Sequence, residues 1–190
     1  MRRLLAGSST AVFNLDKLGY ASDLSSIESL PQAAGRHRLL QVNPADAAAT
    51  AEAVRAADPG LVLYLAAESH VDRSIDGPGA FIESNVTGTF NLLQAVRAHW
   101  EQLPAERCAC FRFHHISTDE VFGSLGTTGR FSETTPYDPP QPLFRQQSPG
   151  EGLAPHLWPA GGAHQLLQQL QPLAFSRKAD PCGKPQGVGR

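Results

Sequence analysis

The 190-residue sequence predicts an α/β protein, a doubly wound parallel sheet followed by a disordered or irregular tail. Three observations predict it. Strand-type and helix-type segments alternate over residues 1–138, one strand run is apolar throughout, and the composition changes at Pro139.

The elements follow in order. Ala11-Val12-Phe13-Asn14-Leu15 is a short β-type run closed by Asp16. In the turn-rich stretch after it, Ser22-Asp23 can cap a short helix. Arg38 to Val42 is a second strand, and the Ala-rich stretch from Asp46 to Ala56 is helical. Leu61-Val62-Leu63-Tyr64-Leu65-Ala66 has the length and continuity of a strand buried on both faces. Phe81 to Trp100 places Phe90, Leu93, Val96 and Trp100 at helical spacing. Cys110 to Ile116 is a further strand. Strands alternating with helices in this way build a parallel sheet with right-handed crossovers.

The tail, residues 139–190, holds nine of the fifteen prolines and has no Ile, Tyr, Thr or Asn. Its Gln165–Gln171 run can form one short helix, and the prolines and glycines around it permit little more. A net charge of −2 offers no basic face to a nucleic-acid backbone. Three cysteines without a CxxC pair predict neither a disulfide framework nor a zinc site. The opening Met1-Arg2-Arg3-Leu4-Leu5 stops at Gly7, short of a signal peptide, and no stretch is long enough to span a membrane. The expected location is the cytoplasm.

Ligands of open parallel sheets bind beyond the carboxyl ends of the strands, and three such ends are polar here. An acid at Asp16 can accept both hydroxyls of an adenosine ribose and would disfavour a 2′-phosphate, which favours NAD over NADP; it can equally be a turn residue. Ala66-Ala67 would let a cofactor approach the backbone, and the polar run Glu68 to Ser74 after them is either a binding edge or a solvated loop. At the third end, Ser117-Thr118-Asp119-Glu120 sets two carboxyl groups side by side. Their repulsion can leave one protonated and one ionised, the acid and base that elimination of water requires; Ser117, Thr118 or Asp119 can also serve as a helix cap. His114-His115 are read as strand packing, because no third metal ligand stands at a useful spacing.

Two segments, Leu65-Ala66-Ala67-Glu68-Ser69-His70-Val71-Asp72-Arg73-Ser74-Ile75 and His115-Ile116-Ser117-Thr118-Asp119-Glu120-Val121-Phe122-Gly123, resemble the dTDP-glucose 4,6-dehydratase family of NAD-dependent, extended short-chain dehydrogenases. Asn14-Leu15-Asp16-Lys17-Leu18, Asn85-Val86-Thr87-Gly88-Thr89 and Glu133-Thr134-Thr135-Pro136-Tyr137 fall in the same order and spacing. The resemblance implies an incomplete Rossmann-type domain over 1–138 and a reaction that oxidises C4 of a dTDP-glucose, eliminates water across C5 and C6, and returns hydride to C6. It implies NAD as cofactor, with Asp16, Lys17, Asn43, Leu65, Ala66, Ala67 and Ser117 around it. Thr118 would bond the sugar at C4, Asp119 would protonate the departing C6 hydroxyl and Glu120 would take the C5 proton. Ser69, His70, Asp72 and Arg73 would border the sugar. Supply of deoxysugars such as rhamnose is the implied pathway, and dimerisation through the helices at 79–100 the implied assembly. The Asp119-Glu120 pair argues against the alternatives, an epimerase or decarboxylase of the same superfamily; a non-catalytic nucleotide-binding remnant is the other alternative.

The sequence departs from the family pattern in several places. It has no Gly-rich phosphate turn before the first strand, so about twenty residues and a central strand of the sheet are expected to be missing, exposing apolar edges. Asn43 stands where the family has an acid for the adenine amino group, and no Tyr-x-x-x-Lys pair is present. Gln141 to Gln147 can be encoded so that the next reading frame gives Ser-Pro-Tyr-Ser-Ala-Ser-Lys, and Leu157 to Pro172 gives a family-like strand and loop in that same frame. The tail is therefore expected to be out-of-frame translation beginning near Pro139-Pro140, and the polypeptide as written to be inactive.

Overall fold

The computed structural model describes residues 1–19, 22–30, 35–68, 77–116, 119–124, 129–132, 134–136 and 138. Two parallel strand pairs organise them. Strand β1 (Val12–Asp16) pairs with β2 (His37–Gln41), Val12 opposite His37 and Asp16 opposite Gln41. Helix α1 (Arg2–Gly7) precedes β1 and buries Leu5 completely. Arg36, at the entry to β2, docks this helix by donating to the Leu5 carbonyl at 2.5 Å and to the Ser8 carbonyl. Between the strands lies the single turn α2 (Ser25–Glu28), where Asp23 Oδ1 accepts the Ser25 N–H at 2.9 Å.

Helix α3 (Ala47–Ala57) follows β2. Asp46 caps it by accepting the Ala49 N–H at 3.0 Å, and Asp58 ends it in the left-handed region with φ 43°. Strand β3 (Leu61–Tyr64) pairs in parallel with β4 (Arg112–His115), Leu61 opposite Arg112 and Tyr64 opposite His115. The crossover between them holds α4 (Pro78–Phe81), a π-turn (Ile82–Thr87), α5 (Gly88–Trp100) and α6 (Ala105–Cys110). A 3-10 turn (Asp119–Phe122) follows β4.

The core forms where α3 and α5 cover one face of β3 and β4. Val54 from α3, Leu92, Leu93, Ala95 and Val96 from α5, Tyr64 from β3, and Phe111 and Phe113 at β4 pack into one buried cluster, with Val62 against it. Burial of Tyr64 raises its phenol pKa; its hydroxyl meets Thr89 Oγ1 at 3.0 Å, which satisfies the polar end of a buried ring.

Several expectations need correcting in detail. The apolar run at β3 ends as strand at Tyr64, and Leu65 and Ala66 lie in the loop beyond. The strand is covered on one face only: Leu61 and Leu63 are 52% and 41% exposed. The cluster gathers on the Val62 and Tyr64 side, and among the described residues no core cluster covers the other. The β1–β2 and β3–β4 pairs are each parallel, as expected, and among the described residues they share no ladder. Cys110 closes α6 and the fourth strand begins at Arg112 rather than at Cys110. The Phe81–Trp100 stretch is helical as expected but wound as a π-turn over its first part, and Phe90 is exposed while Leu92 is buried. The tail at 139–190 lies outside the described residues. Among the described residues, no helix is long and apolar enough to cross a membrane.

One ion pair ties the end of α3 to α6. The Arg107 guanidinium takes both Asp58 oxygens, Nη1 to Oδ2 at 2.9 Å and Nη2 to Oδ1 at 3.0 Å, and holds the Asp58 carboxyl below its usual pKa. A carboxyl whose folded pKa is depressed stabilises the fold above its unfolded pKa and loses that contribution as pH falls through the folded one. Asp58→Asn keeps a side chain that tolerates the left-handed cap. The variant is expected to melt slightly below the wild type at neutral pH, the pair being largely solvent-exposed. The two melting curves are expected to converge below about pH 4; a gap that persists in acid would assign the difference to something other than the ion pair.

Candidate functional site

The carboxyl ends of β1, β2 and β3 meet along one edge. Asp16 closes β1, and its Oδ1 accepts the Leu18 N–H at 2.7 Å and the Ser22 hydroxyl at 3.1 Å. This side-chain turn holds Leu18 at φ 55°, a region a leucine seldom occupies. Backbone strain of this kind persists where the surroundings enforce it, and it clusters at binding edges. The next side chain, Lys17, reaches across to the loop after β3: its Nζ donates to Glu68 Oε1 at 2.7 Å and to Ser84 Oγ of the π-turn at 2.9 Å.

Asn43 stands two residues beyond β2. Its Oδ1 accepts the Ala45 N–H at 3.1 Å, and its Nδ2 donates to Glu83 Oε1 at 3.3 Å. The carboxamide is thus engaged at both ends by its own loop and by the π-turn. Pro44 and Ala45 are held in turn by Asn91 of α5, whose Nδ2 donates to both carbonyls at 3.0 and 2.9 Å.

Beyond β3, Leu65, Ala66 and Ala67 are exposed, and the two alanines leave the backbone open to approach. The loop is fixed at Glu68. Asn85, 4% exposed, accepts the Glu68 N–H on Oδ1 at 2.8 Å and donates from Nδ2 to the Glu68 carbonyl at 3.0 Å. Beyond β4 the ladder continues one step, with the Ile116 N–H on the Tyr64 carbonyl at 2.9 Å. The 3-10 turn that follows begins at Asp119-Glu120 and is anchored by Val121, which is fully buried. His115 in β4 lies against the Tyr64 ring with centroids 5.2 Å apart, and His114 Nε2 is buried without a hydrogen-bond partner among the described residues. Among those residues no cluster of three or more His, Cys, Asp or Glu is arranged to hold a metal.

The structure therefore brings Asp16, Lys17, Asn43 and Leu65–Ala67 to one edge and sets the Asp119-Glu120 backbone at the end of β4. Ser69, His70, Asp72, Arg73, Ser117 and Thr118 lie outside the described residues. Three residues that sequence reasoning gave no role, Glu83, Ser84 and Asn85, knit this edge together with Glu68, the first of the polar run after β3. The one signal for them was the Asn85-Val86-Thr87-Gly88-Thr89 segment, where β-branched residues and a glycine interrupt a helix.

Comparison with known proteins gives this edge its context. The family model described as GDP-mannose 4,6 dehydratase matches residues 1–143. A dTDP-glucose 4,6-dehydratase of Xanthomonas campestris pv. campestris (strain B100) is 49% identical over 142 residues, which cover 75% of this chain and 40% of that protein. One from Neisseria meningitidis serogroup B is 45% identical over 154 residues, covering 80% and 43%. Among solved structures, the dTDP-glucose 4,6-dehydratase of Streptomyces venezuelae, crystallised with NAD bound, superposes with a TM-score of 0.66 at 35% identity, covering 80% of this chain and 45% of that one. The chain spans less than half the length of these relatives. Matched by that model over three quarters of its length, and aligned there with Rossmann-type nucleotide-sugar dehydratases, the chain belongs to the GDP-mannose 4,6-dehydratase family.

Proposed function

We propose that residues 1–138 are the NAD-binding part of a dTDP-glucose 4,6-dehydratase, a hydro-lyase of nucleotide-sugar metabolism, and that residues 139–190 are out-of-frame translation. The observation that carries the reading is the convergence of Asp16 with the exposed Leu65–Ala67 loop at one edge, bridged by Lys17 and Glu68. The residues present fit the adenosine half of the cofactor. Asp16 ends a strand with its carboxylate held by a turn, as acceptance of a ribose diol requires, and a carboxylate there opposes a 2′-phosphate. When bound, NAD supplies the acceptor and donor of hydride.

On the same reading Thr118 bonds the sugar at C4, Asp119 delivers a proton to the departing C6 hydroxyl, and Glu120 takes the proton from C5. Asp119 and Glu120 stand at the start of a 3-10 turn that also carries the fully buried Val121. Ser69, His70, Asp72 and Arg73 border the sugar. The chain contains no Tyr-x-x-x-Lys pair, so binding of NAD without turnover is the expected behaviour of this polypeptide. The homodimer of the full family and a cytoplasmic location belong to the same proposal.

Titration calorimetry of the whole chain tests it. NAD is expected to bind and NADP to bind more weakly. Asp16→Ala is expected to weaken NAD by roughly 10- to 100-fold, the loss of hydrogen bonds to a charged group. A folded chain that takes up no NAD, or that prefers NADP, would overturn the assignment. Release of a 4-keto-6-deoxy sugar nucleotide would overturn the expectation of inactivity.

A further inference from the structure

Three consecutive residues of the π-turn each reach a different strand end. Glu83 Oε1 accepts from Asn43 after β2, Ser84 Oγ accepts from Lys17 after β1, and Asn85 pairs with Glu68 after β3. The Asn85 contact is of a particular kind. A carboxamide offers one acceptor and one donor in a single plane, and here they meet the N–H and C=O of one residue, as the backbone of a neighbouring strand would. The side chain is buried, so the pairing is shielded from water on the protein side. The π-turn is itself anchored from behind: Thr89 donates to the Asn85 carbonyl at 2.6 Å and meets the buried Tyr64 hydroxyl. A Cβ added at Gly88 would lie 3.2 Å from Pro44 Cβ, so the turn also sits close against the loop after β2. Short π-turns within helices recur at functional sites.

We propose that this π-turn sets the spacing of the dinucleotide edge, with Asn85 as the positioning residue that fixes the Leu65–Glu68 loop. Lys17 and Asn43 are held to the same frame through Ser84 and Glu83. The inference rests on the proposed cofactor reading for its purpose, but the clamp on Glu68 can be measured without any ligand. Asn85 is assigned no contact with the cofactor or substrate; it acts through the loop.

Hydrogen exchange of the Glu68 amide, followed beside NAD titration of the whole chain, tests both parts separately. Asn85→Ala removes both bonds and is expected to speed Glu68 exchange by roughly 10- to 100-fold, the equivalent of two lost hydrogen bonds, while β1–β2 ladder amides keep their wild-type protection. NAD affinity is expected to fall with it. Asn85→Asp keeps an oxygen for the Glu68 N–H but opposes a second oxygen to the Glu68 carbonyl, and an intermediate rate is expected. If Asn85→Ala does not fold, Asn85→Asp decides the matter by the same readings. Unchanged Glu68 exchange would overturn the proposal, as would uniform acceleration of every ladder amide or global unfolding of both variants, since either marks a residue of general stability. Faster Glu68 exchange with unchanged NAD affinity would overturn the positioning role. If the wild type binds no NAD, the cofactor reading fails, and with it the purpose given to the clamp, while local acceleration at Glu68 would still establish the clamp.

Discussion

Phe113→Ala is expected to destabilise the fold by about 3–5 kcal/mol, the range for truncating a buried aromatic ring. Phe113 is 2% exposed at the centre of β4, its ring 6.4 Å from that of Tyr64, and it belongs to the one buried cluster that α3 and α5 share with β3 and β4. The cavity left by the ring has little means of collapse, because its walls come from two helices and two strands fixed by their own hydrogen bonds. Against a total stability of roughly 5–15 kcal/mol for a domain, the loss is decisive. With a slope of about 2 kcal/mol per molar urea, the unfolding midpoint should fall by roughly 2 M. Because the outer face of β3 is already exposed at Leu61 and Leu63, the variant is also expected to aggregate more readily on heating. Urea unfolding followed by tryptophan emission is a suitable probe, since Trp100 packs against the cluster. A shift below roughly 0.5 M, or about 1 kcal/mol at the same slope, would show that the ring is not part of the cooperative core.

The order of strands and helices was legible in the sequence because it rests on local pattern. Asp46 as a cap, the Ala-rich helix after it and the β-type run closed by Asp16 all depend on neighbours a few residues away. The burial of β3 was not legible in the same way. A continuous apolar run states what a strand can tolerate on its two faces, and not which elements come to cover them. Leu61 and Leu63 satisfy the pattern of a doubly covered strand and are exposed all the same.

At the site, Asp16 and the Leu65–Ala67 loop could be found because chemistry at strand ends follows from topology. The residues that hold those ends together could not. The irregular Asn85–Thr89 segment does not name a partner for Asn85: Glu68 is 17 residues earlier, and the contact exists only once the crossover helix lies across the strand ends. Lys17 and Glu68 are 51 residues apart, and Asn43 and Glu83 are 40. A helical period also gives no warning of a π-turn, since apolar residues at ordinary spacing predict one continuous helix from Phe81 to Trp100.

The turn that carries Asp119 and Glu120 depends on a glycine, and Gly123→Ala is the second substitution expected to have a large effect. Gly123 has φ +89°, a conformation that costs a residue with a Cβ about 1–2 kcal/mol. Strain is only part of it, since the added Cβ would stand 2.7 Å from the Asp138 carbonyl oxygen. That oxygen belongs to backbone, which cannot rotate aside as a side chain would. The same residue donates its N–H to the Val121 carbonyl at 3.0 Å, so pushing Asp138 away also breaks the bond that latches it to the 3-10 turn. Strain and a lost hydrogen bond together give an expected loss of about 2–3 kcal/mol, expected first at this corner because the nearest atoms to the added Cβ are those of Asp138. Local opening therefore precedes global unfolding: the Asp138 amide should exchange much faster, while the β3–β4 ladder keeps its protection. If β3–β4 protection collapses in step with Asp138, the turn is an integral part of the core rather than a latch upon it. If Asp138 exchange does not change, Gly123 is not required by the close approach.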